Sequence, residues 1–227
     1  GVKPGQNPTF KSRALDKLFP TLKSGKLNLS GAVAIGFTEQ TVNAFLAPTA
    51  RVNSQTSINV LADLLDRTST AANSQATSDS AAAGGAVVYT DFVNTVRAHI
   101  GSGAVVNAKQ NVDVNSRLVV PYPWDFNFTD PSEVVDRLST GLASMLFTTF
   151  ARNKAAGDKF ALSASADIYQ AKNTAEAWID SGALVNTNVA FAVPGQMVNV
   201  NAHTETNLLQ VAGATAGFGF LDKLMTN

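Results

Sequence analysis

Three stretches of this chain align over 30 residues without a gap, and that internal repeat limits its possible folds more than any other feature. They are Gly31–Val60, Gly85–Val114 and Ala164–Val193. The shared skeleton reads T-[VA]-x-A-[FHW]-[LI]-x-x-[TG]-A-x-V-N. Its recurring positions are Thr41, Thr95 and Thr174; Ala44, Ala98 and Ala177; Leu46, Ile100 and Ile179; and Val52, Val106 and Val185. The first and third copies also agree upstream, Lys26-Leu-Asn-Leu-Ser against Lys159-Phe-Ala-Leu-Ser. Successive copies begin 54 and then 79 residues apart, so inserts of unequal length separate them. Gln196-Met-Val-Asn-Val-Asn-Ala also matches Gln110-Asn-Val-Asp-Val-Asn-Ser, which leaves two registers open for the last strand of the third copy.

Within each copy the apolar period is two. Val42, Ala44 and Leu46 fall on one side, then Ala50 and Val52, then Ile58 and Val60, each run after a short break. Alternation over short runs argues for half-buried strands. The breaks Ala47-Pro-Thr, Gly101-Ser-Gly and Asp180-Ser-Gly hold turn formers, which supply unusual dihedrals or a fixed φ. Short strands joined by tight bends cannot bury an apolar face alone, whereas stacked copies share one continuous core. The expectation is one all-β domain over 1–227, a parallel β-solenoid with helical inserts. Asn53, Asn107 and Asn186 follow an inward valine in each copy. Asparagine there serves as a turn residue or a hydrogen-bonded ladder along the stack, with a ligand-binding role as the alternative.

The inserts read differently. Residues 67–84 are small and polar with no periodicity and are expected to form a flexible loop. The stretch 121–154 opens with Pro121-Tyr-Pro-Trp-Asp-Phe, and then Asp130 before Pro131, with Glu133 three residues on, marks a helix start. Val134, Val135, Leu138, Leu142, Met145, Leu146 and Phe150 recur at helical spacing, so an amphipathic helix is expected from about Pro131 to Asn153. In residues 9–24, Phe10, Leu15, Leu18, Phe19 and Leu22 share a face. That segment suits either a cap over an exposed strand edge or a helix along the side.

Segments such as NTAEAWIDSGALVNT and NTVRAHIGSGAVVNA, followed by V-x-V-x-A, resemble the coils of large filamentous-haemagglutinin-like secreted bacterial adhesins, the leukotoxin-type filamentous adhesins above all. The resemblance covers the three copies, roughly half the chain, and not the inserts. It implies a right-handed parallel β-helix, export to the bacterial cell surface or medium, and a structural or adhesive role. It implies no catalytic residues.

Composition agrees with an exported β-protein. Charged residues are 15% of the chain against 45% hydrophobic, and the usual charged share is about 25%. Lys plus Arg equals Asp plus Glu at 17 each, so no global field attracts nucleic acid. With no cysteine there is no disulfide, Cys-bound zinc or thiol nucleophile, which suits a large bacterial exported protein. No apolar run approaches the ~18 residues of a membrane span. The chain opens at Gly1 without a signal-peptide pattern, as expected of a processed piece whose export signal has been removed.

Little reads as chemistry. His99 and His203 lie in different copies without ligand spacing, and no metal or cofactor motif is present. Asp63/Asp66 and Asp125/Asp130 fall at insert boundaries, where turns and caps explain them better than two-carboxylate catalysis. The one promising feature is aromatic. Phe45, His99 and Trp178 share a repeat position that alternates away from the inward residues. Such a column would stack against sugar rings or a partner surface, or lie buried beneath a helical insert. Trp124 carries the same two readings, platform or insert anchor. The expected partners are a host or matrix surface, carbohydrate included, or further copies joined end to end. A polysaccharide-active enzyme is the least favoured alternative.

Overall fold

A computed structural model of the chain describes residues 27–79, 81–124, 147–157 and 160–214, and within them every regular element but one is a β-strand. The chain makes three passes of four strands. The first comprises β1 (Leu27–Leu46), β2 (Arg51–Ser54), β3 (Ile58–Leu65) and β4 (Thr70–Ser78). The second comprises β5 (Ala81–Ile100), β6 (Val105–Ala108), β7 (Val112–Val120) and β8 (Thr149–Gly157). The third comprises β9 (Phe160–Ile179), β10 (Leu184–Val185), β11 (Val198–Thr206) and β12 (Gln210–Ala214).

Each pass contributes one strand to each of four three-stranded sheets, ordered β1-β5-β9, β10-β6-β2, β11-β7-β3 and β12-β8-β4, and every pairing is parallel. Parallel neighbours need a long crossover, usually a helix. Here the other strands of a pass make it.

The repeat sets the register. Leu46 pairs with Ile100 and Ile100 with Ile179, the columns read from the sequence. The second strand of the motif keeps the same offsets, Val52 to Val106 to Val185. The third copy then departs from gapless alignment, because β11 pairs Val112 with Val198, 86 residues apart. Against the offset of 79 in β9, seven extra residues have entered between β10 and β11, where a 3-10 turn forms at Val189–Phe191. Of the two registers left open, the Gln110/Gln196 match is the one adopted.

The alternation sorts the side chains as the period of two requires. Val96, Ala98 and Ile100 of β5 are fully buried with Val106, Val112, Val114 and Leu118, and the first and third passes pack Val42, Ala44, Leu46, Ala175, Ala177 and Ile179 against them. A second cluster joins Ala72, Ala86, Val88 and Ala151. The middle pass is closed on both sides and the third lies open: Val114 is 0% exposed and its register partner Val200 is 42%.

The stretch 67–84, expected as a flexible loop, is instead mostly β4 and the start of β5, with only short connections around it. Ala72, Ser74 and Ala76 alternate inward from β4. They are too small or polar to show as a hydrophobic stripe, but the corner they fill is narrow. Ser74 Oγ lies 2.7 Å from Ser30 Oγ, and Asn28 Nδ2 donates to the Thr77 carbonyl at 2.7 Å. The helix expected over Pro131–Asn153 is also corrected at its C-terminal end, since residues 149–153 are strand β8 with Phe150 buried and stacked on Phe147 at 5.0 Å. Parallel pairing with Thr70–Ser78 outweighs the helical spacing there. Residues 125–146, which hold most of the expected helix, and the segment 9–24 lie outside the described residues; among the described residues there is no α-helix.

Candidate functional site

The aromatic column sits at the C-terminal end of the long β1-β5-β9 sheet, on its outer face. Ala44, Ala98 and Ala177 and then Leu46, Ile100 and Ile179 point into the core on either side, so Phe45, His99 and Trp178 must point out. Strands about 4.8 Å apart bring like positions to stacking distance. The Phe45 and His99 rings are 5.4 Å apart with planes 11° from parallel, and His99 and Trp178 are 4.5 Å apart at 4°. Trp178 Nε1 donates to Asp180 Oδ1 at 2.9 Å, which holds the end of the stack.

This geometry decides what the column can offer. Both faces of His99 are taken by its neighbours, and its Nδ1 is buried without a hydrogen-bond partner. The stack therefore presents ring edges along its length and free ring faces only at its ends. Phe45 is such an end, 56% exposed. One step along the same face, Arg97 Nε meets Glu176 Oε2 at 2.7 Å, and the row Thr41, Thr95 and Thr174 follows. Polar groups that bond to hydroxyls thus flank an aromatic surface.

Trp124 takes part in a different pair, stacked on Tyr122 at 5.0 Å and 6°, with both rings about half exposed. Beside them is a shallow depression lined by Asp66, Arg67, Pro121, Tyr122, Phe147 and Thr148. Asp66 is buried there and fully engaged. Its Oδ1 accepts from the Thr68 backbone N–H at 3.0 Å and the Thr68 hydroxyl at 2.7 Å, and its Oδ2 accepts from Asn94 Nδ2 at 2.8 Å. It is a turn-forming carboxylate. Asp63 lies 3.5 Å from Arg117, and His203 Nε2 lies 3.7 Å from Glu205. Among the described residues no three His, Asp or Glu side chains group to hold a metal.

The expected asparagine ladder forms between two of its three members. Asn107 Nδ2 donates to Asn53 Oδ1 at 2.9 Å, while its own Oδ1 accepts from the Asn188 backbone N–H at 3.1 Å. Asn186 leaves the row. It takes a left-handed φ of 54°, which asparagine tolerates, and its Oδ1 accepts from the Ala108 backbone N–H at 2.9 Å.

Two groupings escaped the motif search. An outer polar row on β7 and β11 links Asn199 to Asp113 at 2.7 Å and Asn201 to Asn115 at 3.1 Å. The inward-facing polar residues Asn94, Asp167, Tyr169 and Asn173 lie along the long sheet, upstream of the apolar run of each strand. Asn94 also donates to Asn173 Oδ1 at 3.0 Å. Burial pushes the Asp167 carboxyl up, against a hydrogen bond from Thr149 Oγ1 at 2.5 Å. The Tyr169 phenol is pushed up to about 12 by burial and by the Asp66 charge. Extending the inward parity upstream from Val42 and Val96 would have flagged these positions. No protein-family model matches the chain, and neither does any curated protein or solved structure.

Proposed function

We propose that this chain is a non-catalytic structural and adhesive segment of a secreted bacterial surface protein, with the three passes forming the coils of a right-handed parallel β-helix. The observation that carries this reading is the in-register repetition of like residues from pass to pass, as in Thr41–Thr95–Thr174 and Phe45–His99–Trp178. A stack built on nearest-neighbour ladders extends by addition of further passes, which makes a rod. The right-handed sense is supported by the strong preference of parallel crossovers for that hand. Asn53 with Asn107, Asn94 with Asn173, Arg97 with Glu176 and Asp113 with Asn199 each pair polar side chains across neighbouring passes.

Adhesion would use the flanks of the rod. The free Phe45 face, the Tyr122–Trp124 pair and their polar surroundings fit carbohydrate, whose apolar ring face stacks on aromatics while its hydroxyls bond to Asn, Arg and Glu. The test is binding of the chain to immobilised host-cell and matrix glycans. Phe45→Ala combined with Trp124→Ala should lower retention at least tenfold with the β-sheet circular dichroism unchanged. Retention equal to that of the unaltered chain removes these rings from the adhesive surface.

A second reading, a subunit that polymerises end to end, is favoured by the open third pass. Val198 and Val200 are 45% and 42% exposed, although their partners Val112 and Val114 are fully buried. Sedimentation at rising concentration separates the two: growing rods favour the subunit, a constant monomer favours the adhesin segment.

A further inference from the structure

All four sheets end at the same two passes. Strands β1 to β4 form one edge of every sheet and β9 to β12 the other, so the stack has two ends, each a set of four parallel edge strands. The longest of these edges, β1 and β9, run for 20 residues each. An edge of that length carries a row of backbone N–H and C=O groups able to pair with another chain. The charges at the two ends are complementary by column. Glu39 and Lys172 end one column, whose middle member is Val93. Within the chain two strand spacings, ~9.6 Å, separate them, whereas one further step of the stack would bring them within a single spacing of ~4.8 Å. Asp63 and His203 end another column, on either side of Arg117.

We propose that the third pass of one chain docks on the first pass of a second copy, parallel and in the register of the internal repeat. The inference rests on the end-to-end reading above and fixes which edges meet and how. At the junction Lys172 stands opposite Glu39 and the His203 imidazole opposite the Asp63 carboxylate, and no two like charges fall directly opposite along the paired strands. The apolar columns continue across it: Ile179 meets Leu46, Val185 meets Val52, and Val198 and Val200, open in the single chain, meet Ile58 and Val60. The inward polar column Gln40, Asn94 and Asn173 continues as well, with Asn173 beside Gln40. Trp178 meets the bare face of Phe45, extending a stack whose rings are already 5.4 and 4.5 Å apart. A slip of one residue would turn the inward set outward, and a slip of two would set Lys172 opposite Phe37 or Thr41. Because the contact joins different surfaces and does not close on itself, its repetition builds an open rod. Phe45 is covered at every junction of such a rod, which leaves the Tyr122–Trp124 pair as the aromatic surface on its flank.

The chain has no cysteine, so introduced pairs report proximity without background. Thr41 and Thr174 stand at opposite edges of one outward row, with Thr95 between them. At ~9.6 Å they are beyond the ~7 Å Cα separation that a disulfide allows, whereas across the junction they are ~4.8 Å apart. Oxidation of the full chain carrying Thr41→Cys and Thr174→Cys should therefore give a concentration-dependent series of covalent dimers, trimers and longer forms. The control, Thr41→Cys with Gln170→Cys, moves the second thiol ~13 Å along the same face of β9 and should give at least tenfold less. Equal series from both pairs, or none from either, overturns the proposal. The unaltered chain, sedimented alongside, separates the two failures: rods without the selective series strike the register alone, and a constant monomer strikes the end-to-end reading with it. A charge exchange tests the same junction without thiols. Lys172→Glu and Glu39→Lys should each raise the concentration at which rods form at least threefold, and an equal mixture of the two variants should restore it, since each end then meets its opposite charge. A mixture no better than either variant alone overturns the proposal.

Discussion

The left-handed turn positions show how a single residue decides whether a pass can close. Thr49, Gly103 and Gly182 occupy one column and all have positive φ, at 61°, 68° and 79°. Glycine takes that conformation freely, whereas a residue with a Cβ is held there at a cost of about 1–2 kcal/mol. Thr49→Gly should therefore stabilise the chain by about 0.5–1 kcal/mol, after the larger entropy loss of glycine, as read from urea unfolding. Gly101, two residues before the same turn, has the opposite sensitivity. A Cβ there would lie 2.7 Å from the Leu46 carbonyl oxygen and 2.7 Å from the Pro48 nitrogen, both backbone atoms of the pass below. Gly101→Ala should cost about 1–3 kcal/mol through overpacking. The buried Asn107 belongs to the same class: Asn107→Ala strands the Asn53 oxygen and the Asn188 N–H and should cost about 1–3 kcal/mol in the same assay.

Asp167 adds a pH dependence at a single residue. Burial raises its carboxyl in the folded chain, so the folded state takes up the proton at higher pH than the unfolded chain does. Its ionisation thus weighs against folding at neutral pH, and that penalty is relieved as pH falls through the raised value toward the ordinary 3.8. Asp167→Asn should be the more stable form at pH 7, with its lead in urea midpoint shrinking as pH is lowered toward 4. A lead that grows on acidification would contradict the sign.

Individual elements follow the repeat closely where residues are large, and less closely where they are small. Val42–Ala44–Leu46 and its two counterparts mark the strands, their inward faces and their register in the sequence itself, because aliphatic side chains at alternate positions have one way to be buried. Strand β4 was illegible for the same reason inverted: Ala72, Ser74 and Ala76 are buried, but alanine and serine do not distinguish a narrow interior from a loop. The helical spacing that ended at Phe150 ran past a boundary only the pairing of β4 with β8 reveals. The aromatic column was visible in the sequence as a position, while its internal stacking, which leaves His99 no free face, depends on the spacing between strands. A prediction follows for the insert between β7 and β8. Leu65 pairs with Val119 and Thr70 with Thr149, so the three residues Arg67-Thr68-Ser69 of the first pass correspond to 121–148, and replacing 121–148 by Arg-Thr-Ser should retain the parallel stack and its β-sheet circular dichroism. Loss of that signal would mean that the insert is part of the fold. If the signal is kept and glycan retention is lost, adhesion belongs to the insert and its Tyr122–Trp124 pair.

At the level of the whole molecule, four parallel sheets share one direction of growth, and every ladder found runs along it. Residues repeat at 54, 79, 86 and 61 positions apart, and each change in offset corresponds to a length difference between passes outside the strands. Such a construction tolerates variation on its flanks while holding its interior columns constant, which suits a rod that displays binding surfaces. It also leaves the last pass open, with Val198 and Val200 exposed where another pass would close them. The measurement that tests this reading most directly is an immunoblot of the source cells, fractionated into surface, medium and interior, with an antibody raised to this chain. A surface or medium product many times larger than the 23.7 kDa of the chain is the expected result. A 23.7 kDa product confined to the cell interior would contradict it.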